Sequence, residues 1–452
     1  MLDNLIITAA KASASKKGSV ANSTNNLVER TKVLVEKARL MRSAFKAHVR
    51  TTREGTVDRC DYDHELHILP VQVGDSIGRR YKITRLIGSG NMANVHLAED
   101  QHASDLVAVK SMFGAKQREI LVRRFVREAG ALAVLSHPNI VNAKDIGWDQ
   151  DRKLPYIVME NLAYSENVSG ELKPVTFKYL MKQFKEQKID ISTMLYYYSD
   201  ICEGLSYLNE RVNPIIHRDL KPDNILVSNG FVFDSGPHRN LIKLSDFGLV
   251  RIMGDQAATT LTKVGSVAGI VGSPGYAAIP DMYNGDNVSH RSDLYSLGVM
   301  LYELISGGNL PFKIKDQGNK LDDKSPAEHK SPYHIEQKMR ITTKSEKTGF
   351  DPRMTTEYEQ KSSYGVDRLK QIIQKHLFEQ PDFSEKSLIS GVDPELIALT
   401  QKLLSKDPND RPRDAASVKD QLRNIAKKIS QKGQEAYSLP SLLPMHHTQV
   451  TF

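Results

Sequence analysis

The stretch His217-Arg-Asp-Leu-Lys-Pro-Asp-Asn224, followed further along by Asp246-Phe-Gly248, carries the strongest signal in this sequence. Asp219 and Asn224 stand five positions apart, a spacing that suits a short loop holding a carboxylate and an amide over one ligand. Phosphoryl transfer to an alcohol needs a group that orients the hydroxyl, cations beside the phosphates, and ligands for those cations. An Asp, a Lys, an Asn and a second Asp supply that set, so the ordered pattern is specific for this chemistry.

The composition of the chain is that of a globular protein. Of its 452 residues, 40% are hydrophobic and 26% are charged, close to the average for soluble domains. No apolar run approaches the roughly 18 residues that a membrane span needs. The first ten residues have no basic region ahead of an apolar one, which argues against a secretory signal peptide. The net charge of +8 is modest for this length, and we expect no nucleic-acid partner.

The two cysteines, Cys60 and Cys202, exclude a disulfide scaffold and stand at no metal-ligand spacing. Cys202 falls in the apolar-patterned stretch Met194–Leu208, which predicts a buried helix thiol. This usage fits a reducing compartment, so we predict a cytoplasmic location.

A long amphipathic helix is predicted near the start of the chain, opened by Asn26 and Glu29 at capping-box spacing. Its apolar positions recur at helical spacing, and they are Leu27, Leu34, Ala38, Met41, Phe45 and Val49. The other face of the helix carries basic side chains, namely Arg30, Lys32, Lys37, Arg39, Arg42, Lys46 and Arg50. We favour a helix docked on the main domain with a solvated basic face. Attachment to a membrane surface or an acidic partner is the alternative. Thr51–Gly78 is interpreted as a linker.

From Tyr81 the pattern becomes that of short strands, at Tyr81–Leu86, Val95–Glu99 and Leu106–Ser111. The turn between the first two is Gly88-Ser-Gly-Asn-Met-Ala-Asn-Val95. Glycine lets the backbone approach phosphates closely, where amide groups neutralise their charge. A lone pattern of this kind is weak evidence, and this one has Ala93 where a third glycine is usual. A side chain there is strained if the position needs a positive φ.

Lys110 falls on the third of these strands, and Glu128 on a helix predicted over Gln117–Leu135. Two ordinary surface charges are one interpretation. Their place after a glycine turn favours an ion pair that aims the ammonium group at a phosphate. Further along, Tyr156–Leu162 is predicted to be a buried strand running into a connector that offers backbone groups to an adenine edge.

In this order, the motifs resemble those of the eukaryotic-type protein kinase family, in its serine/threonine branch, and most closely the bacterial eukaryotic-like serine/threonine kinases. The resemblance extends from Tyr81 to Lys428 and includes Ser292–Gly298 and Lys406–Pro412. It implies a bilobal α+β fold with a small β-rich N-lobe, one key helix, and a larger, mainly helical C-lobe. The domain limits it implies are an extension at 1–80, a kinase domain at 81–428 and a tail at 429–452. Within the domain they are an N-lobe at 81–160, a C-lobe at 163–428 and a polar insert at 313–364.

The resemblance also implies a role for each matching residue. Asp219 and Lys221 are the expected catalytic residues, and Asn224 and Asp246 the expected ligands of Mg²⁺. Met159 is expected at the back of the adenine pocket. The residues implied in ATP binding are Ile87, Gly88, Ser89, Gly90, Asn91, Met92, Ala93, Asn94, Val95, Ala108, Lys110, Glu128, Glu160, Leu162 and Leu226. The internal supports implied are Asp293 under the catalytic loop and a column of His217, Phe247 and Leu132.

The segment after Asp246 is implied to control activity. Arg218, next to the expected catalytic Asp, implies a phosphate on that segment as counter-ion. Thr259, Thr260, Thr262 and Ser266 are the candidates, and Thr260 and Thr262 are preferred by position. Where the family has Ala-Pro-Glu, this chain has Ile279-Pro-Asp281, whose implied partner is Arg411. Because Asp is one methylene shorter than Glu, the sequence leaves open whether this ion pair anchors the end of the segment.

The function expected is that of an ATP- and Mg²⁺-dependent kinase that phosphorylates Ser and Thr hydroxyls of proteins and autophosphorylates its activation segment. A pseudokinase or nucleotide-binding scaffold is the main alternative, favoured only by Ala93 and Asp281. A small-molecule kinase on a related fold is a third. Peripheral membrane contact through the N-terminal helix and export into a host cell as an effector also stay open. The motifs do not specify the protein substrates or the oligomeric state.

Overall fold

The computed structural model describes residues 21–53, 65–90, 93–112, 116–162, 165–166, 172–228, 242–252, 272–283, 288–312 and 368–437. Asn91 and Met92 of the glycine turn lie outside these ranges, as do the candidate phosphosites Thr259, Thr260, Thr262 and Ser266 and the predicted insert at 313–364.

A six-stranded antiparallel sheet forms the N-terminal half of the fold. Its strands are β2 (Ser76–Ile77), β3 (Tyr81–Ser89), β4 (Ala93–Asp100), β5 (Asp105–Met112), β7 (Ala143–Asp149) and β8 (Leu154–Glu160). Their order across the sheet is β2-β3-β4-β5-β8-β7. Successive side chains of a strand point to opposite faces. The small apolar cluster of Ile87, Leu97 and Ala108 is accordingly separate from the main core, to which Ala98, Val107 and Val109 belong.

Three elements lie wholly or partly in the segment that was predicted to be a linker. Helix α1 (Ala21–Arg53) runs three residues into Thr51–Gly78, and β1 (Glu65–His67) and β2 lie within it. The linker interpretation is therefore wrong for these residues. These residues are structured because their apolar side chains are buried: Leu66, Ile68 and Ile77 are each at most 1% exposed.

The helix that carries Glu128 is shorter than predicted. Residues Lys116–Arg118 form strand β6, which pairs antiparallel with β1, and helix α2 (Glu119–Leu132) starts only after it. Val122, Phe125 and Ala129 recur at helical spacing and are fully buried. The prediction of helix from Gln117 is wrong because residues 116–118 pair with strand β1, which is distant in sequence, and so are extended.

Helix α1 docks on the sheet side of the fold, against β7 and α2. The predicted apolar positions from Leu34 to Val49 are buried, whereas Leu27 is 42% exposed and lies outside the contact. Phe45 and His48 contact the indole ring of Trp148, with centroids 6.4 and 5.9 Å apart. The favoured interpretation of a docked helix is confirmed.

The basic side chains of α1 divide between the two faces. Lys32, Arg39, Arg42, Lys46 and Arg50 are exposed, as predicted. Arg30 and Lys37 instead reach the lobe, and the Lys37 ammonium lies 2.5 Å from the buried carboxylate of Asp145.

The C-terminal half is mainly helical. Its helices are α3 (Phe177–Lys185), α4 (Ile191–Asn209), α5 (Ile279–Tyr283), α6 (His290–Ile305), α7 (368–378), α8 (Pro394–Leu403) and α9 (Ala415–Tyr437). Among the described residues, four short pairs of strands lie outside the main sheet. Strand β12 (Ile225–Val227) pairs with β13 (Ile242–Leu244), and β11 (Ile215–Ile216) with β14 (Arg251–Ile252). The other two pairs are β1 with β6, and β9 (Ser165–Glu166) with β10 (Leu172–Lys173).

Helix α4 packs along α9 and none of its residues is fully exposed, and Cys202 within it is a buried thiol as predicted. Burial raises the pKa of that thiol above its usual value. Helix α9 continues past Lys428 to Tyr437, and the predicted domain limits stay a prediction. In the described part of the chain, no helix combines the length and apolarity that crossing a bilayer requires.

The docking of α1 predicts a difference between two neighbouring residues. Met41 is 1% exposed on the contact face, so Met41→Ala should lower the free energy of unfolding by about 2–5 kcal/mol. Leu40 is 60% exposed, and Leu40→Ala should change it by less than about 0.5 kcal/mol. Urea titrations followed by the fluorescence of Trp148, the one tryptophan of the chain, measure both. Equal effects of the two substitutions would contradict the docking.

Candidate active site

The carboxylate of Asp219 stands at the centre of a hydrogen-bonded cluster. Its Oδ1 accepts from the backbone N–H of Ser273 at 2.8 Å, and its Oδ2 accepts from Asn224 Nδ2 at 2.8 Å. The ammonium of Lys221 lies 3.1 Å from the same Oδ2 and donates to Ser273 Oγ at 2.7 Å. Asn224 Nδ2 also donates to the backbone carbonyl of Asp219 at 2.8 Å. The structure thus brings Asp219, Lys221 and Asn224 together, as predicted, and adds Ser273.

A buried carboxylate supports this loop from below. Asp293, near the start of α6, accepts from the backbone N–H of His217 and of Arg218, both at 2.9 Å. Arg218 itself has φ +69°, an unfavourable region for a side chain, so its conformation depends on such bonds. Burial raises the pKa of Asp293 above its usual value, against the opposing effect of these bonds.

Gly272 is fixed by the same loop. Its φ is +97°, and a Cβ atom there would lie 2.5 Å from the carbonyl oxygen of Arg218. Only glycine therefore lets the backbone come close enough for Ser273 N–H to reach Asp219.

Lys110 of β5 joins the two halves of the fold. Its ammonium lies 2.6 Å from Glu128 Oε1 on α2 and 3.0 Å from Asp246 Oδ1, which follows β13. The predicted ion pair with Glu128 therefore forms. Glu128 is 1% exposed, whereas the Asp246 side chain is 44% exposed. Burial opposes the charge of Lys110, but the carboxylates of Asp246 and Glu128 outweigh it and raise the pKa of Lys110 above its usual value.

Asp246 and Asn224 are brought side by side by a pair of short strands. Ile225 of β12 pairs with Leu244 of β13, and Ser245 donates from N–H and Oγ to the Asn224 carbonyl, both at 2.9 Å. Asp246 has φ +58°. The ammonium of Lys110 beside it lowers the pKa of Asp246 to about 2. An ionised carboxylate and an amide at adjacent strand ends are donors that Mg²⁺ accepts.

Two members of the predicted internal column, His217 and Phe247, are in ring contact. The imidazole of His217 lies 5.1 Å from the ring of Phe247, and His217 Nε2 donates to the carbonyl of Ser245 at 3.0 Å. Both side chains are fully buried. The segment on which Asp246 lies is thereby tied to the loop that carries Asp219.

The predicted adenine-side residues of the N-lobe share one face of the sheet. Ile87, Leu97 and Ala108 are buried, and Val95 and Met159 pack against them. Sequence reasoning missed Leu97. Its signal was the period of two, since it shares a strand face with Val95.

The remaining predicted adenine-side residues lie at the junction of the halves. Glu160 ends β8, and Leu162, 6% exposed, follows it. Leu226 is paired with Lys243 of β13 and bridged to Thr176. Sequence reasoning also missed Lys243 and Asn142, which both contact Glu160. They stand in no motif.

The described part of the glycine turn is closed by its own backbone. Gly88 pairs with Val95, Gly90 N–H donates to the Ala93 carbonyl at 2.9 Å, and Ser89 Oγ donates to Asn94 Oδ1 at 2.9 Å. Ala93 is buried and starts strand β4. The departure from glycine at this position is therefore accommodated in a strand.

Asp281 and Arg411 form the pair that the sequence implied. Arg411 Nη2 lies 2.7 Å from Asp281 Oδ1 and Nη1 lies 2.9 Å from Oδ2. Ser292 Oγ adds a bond to Oδ2 at 2.6 Å. Neither charged side chain is exposed. The shorter Asp thus keeps a bidentate pair, the strongest geometry for a guanidinium.

This pair predicts a large loss of stability on truncation. Asp281→Ala leaves the Arg411 guanidinium buried without its carboxylate, which should cost about 3–5 kcal/mol of unfolding free energy. Lys428→Ala is the matched control, because its ion pair with Glu395 is about half exposed and should contribute less than about 1 kcal/mol. Urea unfolding followed by circular dichroism compares them. The burial argument fails if Asp281→Ala is as stable as the control.

Comparison with known proteins agrees with this geometry. Residues 81–422 match the model of the protein kinase domain. The chain is 34% identical over 246 residues to the serine/threonine-protein kinase PrkC of Bacillus subtilis, covering 53% of this chain and 32% of that protein. It is 34% identical over 248 residues to the probable serine/threonine-protein kinase PknB of Lactococcus lactis, covering 54% and 34%. It is 33% identical over 256 residues to PknB of Mycobacterium tuberculosis, covering 55% and 36%. The match spans about a third of the length of these curated relatives. Through residues 81–422, this chain belongs to the protein kinase family.

Proposed function

We propose that this chain is an ATP-dependent protein serine/threonine kinase. One observation carries the proposal: Asp219, Lys221 and Asn224 form one hydrogen-bonded cluster, and Lys110 contacts Glu128 and Asp246. These are the orienting group, the cation and the ligands that phosphoryl transfer requires. The names of the relatives, which are serine/threonine-protein kinases, support the same activity.

Asp219 and Lys221 have the proposed catalytic roles. The substrate hydroxyl oxygen attacks the γ-phosphorus of ATP, the bond from that phosphorus to the bridging oxygen breaks, and ADP leaves. Asp219 orients the hydroxyl and accepts its proton, and Lys221 neutralises charge on the transferred group. The bonds of Asp219 to Ser273 and Asn224 hold the carboxylate in place before the substrate arrives.

Asn224 and Asp246 are the proposed ligands of Mg²⁺. The site fits the ion, because Asp246 is held ionised beside Lys110 and offers hard oxygen atoms at a partly exposed position. Asn224 uses its amide nitrogen on Asp219, so its amide oxygen is the atom left for a metal ion. A Mg²⁺ ion held by Asn224 and Asp246 would supply positive charge that neutralises the phosphates of ATP.

The remaining ATP-binding residues keep their predicted roles as part of this proposal. The apolar cluster around Ala108 and Met159 suits an adenine ring, and Glu160 and Leu162 offer backbone groups at the junction of the lobes. The resemblance to the serine/threonine branch implies that Lys221 and Ser273, which are bonded to each other, favour a Ser or Thr hydroxyl as acceptor. We propose proteins as the substrates.

Removing the charge of Asp219 should abolish transfer and spare binding. We expect Asp219→Asn to lower kcat by about 10²–10⁴-fold, the contribution of a positioned proton acceptor, with the Kd of Mg·ATP within about threefold. Transfer of radiolabelled γ-phosphate to a generic protein substrate measures the first, and calorimetry the second. Asp223→Asn is the matched control, since Asp223 is half exposed and pairs only with Lys178 among the described residues. Wild-type turnover in Asp219→Asn would remove Asp219 from the proposed role.

Phosphorylation between Asp246 and Asp281 should raise activity. Arg218 is 5% exposed next to Asp219, and a phosphate would add charge-assisted bonds to its guanidinium. Replacing Thr260 and Thr262 together by Ala should lower kcat several-fold and remove phosphate from that peptide in mass spectra. The control replaces Thr342 and Thr343, a similar pair in the predicted insert. Unchanged kcat, with no phosphate on that peptide in the wild type, counts against this control of activity.

A further inference from the structure

Arg30 of helix α1 contacts a segment of the chain far from it in sequence. Its Nη2 donates to Asn142 Oδ1 at 2.9 Å and to the carbonyl of Ala143 at 2.6 Å. By contrast, Lys32, two positions further along, is paired at 3.3 Å with Glu29 of its own helix. Arg30 therefore holds both a side chain and a backbone group where strand β7 begins.

The residues that Arg30 holds are bonded to the junction between the lobes. Asn142 N–H donates to Glu160 Oε1 at 2.8 Å, and Glu160 N–H donates to the Asn142 carbonyl at 3.0 Å. Lys243 of β13 lies 3.0 Å from the same Oε1. Ala143 is the strand partner of Met159. Arg30 is thus connected to Glu160 through Asn142 and to Met159 through Ala143. The proposed function places Met159 and Glu160 against adenine.

The same segment is bonded to the strand that leads to Asp246. Val141 N–H donates to the Leu244 carbonyl and Leu244 N–H donates to the Asn139 carbonyl, both at 2.9 Å. Asn139 Nδ2 donates to the carbonyl of Ile242 at 2.9 Å. Residues 139–143 therefore connect the adenine side of the site to its metal side.

We propose that Arg30 is a positioning residue for nucleotide binding, acting through Asn142 on Glu160. The proposal rests on the proposed function, which assigns Glu160 to the adenine edge. A guanidinium bonded to two acceptors fixes the backbone at residues 142 and 143. That backbone fixes the N–H and the carboxylate of Glu160 by two bonds, which orients the neighbouring carbonyl toward the ligand. Helix α1 thereby contributes to the affinity for ATP without touching it.

When Arg30 is replaced, other contacts still hold helix α1 against the sheet. The buried face from Leu34 to Val49 and the pair of Lys37 with Asp145 are both further along the helix. We therefore expect an Arg30 substitution to act on the segment at residues 139–143 and to leave the helix in place. This separates a positioning role from a purely structural one.

The test compares Arg30→Ala and Asn142→Ala with Lys32→Ala in the full chain. Each of the first two should raise the KM for ATP and the Kd of Mg·ATP by about three- to tenfold, with kcat within twofold, since changes along such a contact path alter coupling by that much. Lys32→Ala should leave both unchanged. The double variant should bind Mg·ATP no more weakly than the more impaired of the two single variants, because both substitutions break the bond between Arg30 and Asn142. Thermal melting and Trp148 emission report the fold and the docking of α1.

Distinct outcomes overturn distinct statements. If the wild type neither binds Mg·ATP nor transfers phosphate, the proposed function fails. If the wild type does both and the KM and Kd of the folded single variants stay within 1.5-fold of it, the role of Arg30 is wrong. A fall in kcat in proportion to the folded fraction, with unchanged KM, also overturns it. Should Arg30→Ala not fold, Asn142→Ala decides, because it removes the acceptor and leaves the helix intact.

Discussion

The contact of Lys110 with two carboxylates is the interaction on which the site depends. A buried ammonium is stable only when it is paired, and here its partners come from α2 and from the segment after β13. One side chain therefore fixes the position of a helix relative to a strand and of one half of the fold relative to the other. Asp246 keeps a partly exposed carboxylate in this arrangement, so the same contact that stabilises the fold presents an oxygen ligand.

The second half of the site is held by bonds to backbone amides. Asp293 fixes His217 and Arg218, and His217 in turn fixes Ser245, the residue before Asp246. Arg218 and Asp246 both have positive φ, a conformation that ordinary residues adopt only when the surroundings impose it. The first of these positions precedes Asp219, and the second is itself a residue of the candidate site. Their strain is balanced by buried bonds, which is how a loop achieves the rigidity that transfer of a phosphoryl group needs.

The cluster of Asp219, Lys221 and Asn224 was predictable from sequence because its members lie close together in the chain. The separation of Asp219 and Asn224 already implied one loop, and the order of Lys110 and Glu128 after a glycine turn implied their pairing. The strands at Glu65–His67 and Ser76–Ile77 were not predictable in this way. Each is too short for a periodic signal and is defined by a partner elsewhere in the chain. Arg30 was predicted on a solvated face for a similar reason, since helical spacing gives a direction but does not identify the neighbour.

The two departures from the family pattern bear on whether the chain transfers phosphate or only binds. Asp281 keeps the bidentate pair with Arg411 and gains a bond from Ser292, so the loss of one methylene is absorbed by the surroundings. Ala93 lies in a strand and closes the turn through its carbonyl. Neither departure replaces Lys110, Asp219, Asn224 or Asp246. The carboxylate of Asp219 is bonded to both a lysine and an amide, and this arrangement supports the proposed phosphate transfer over binding alone.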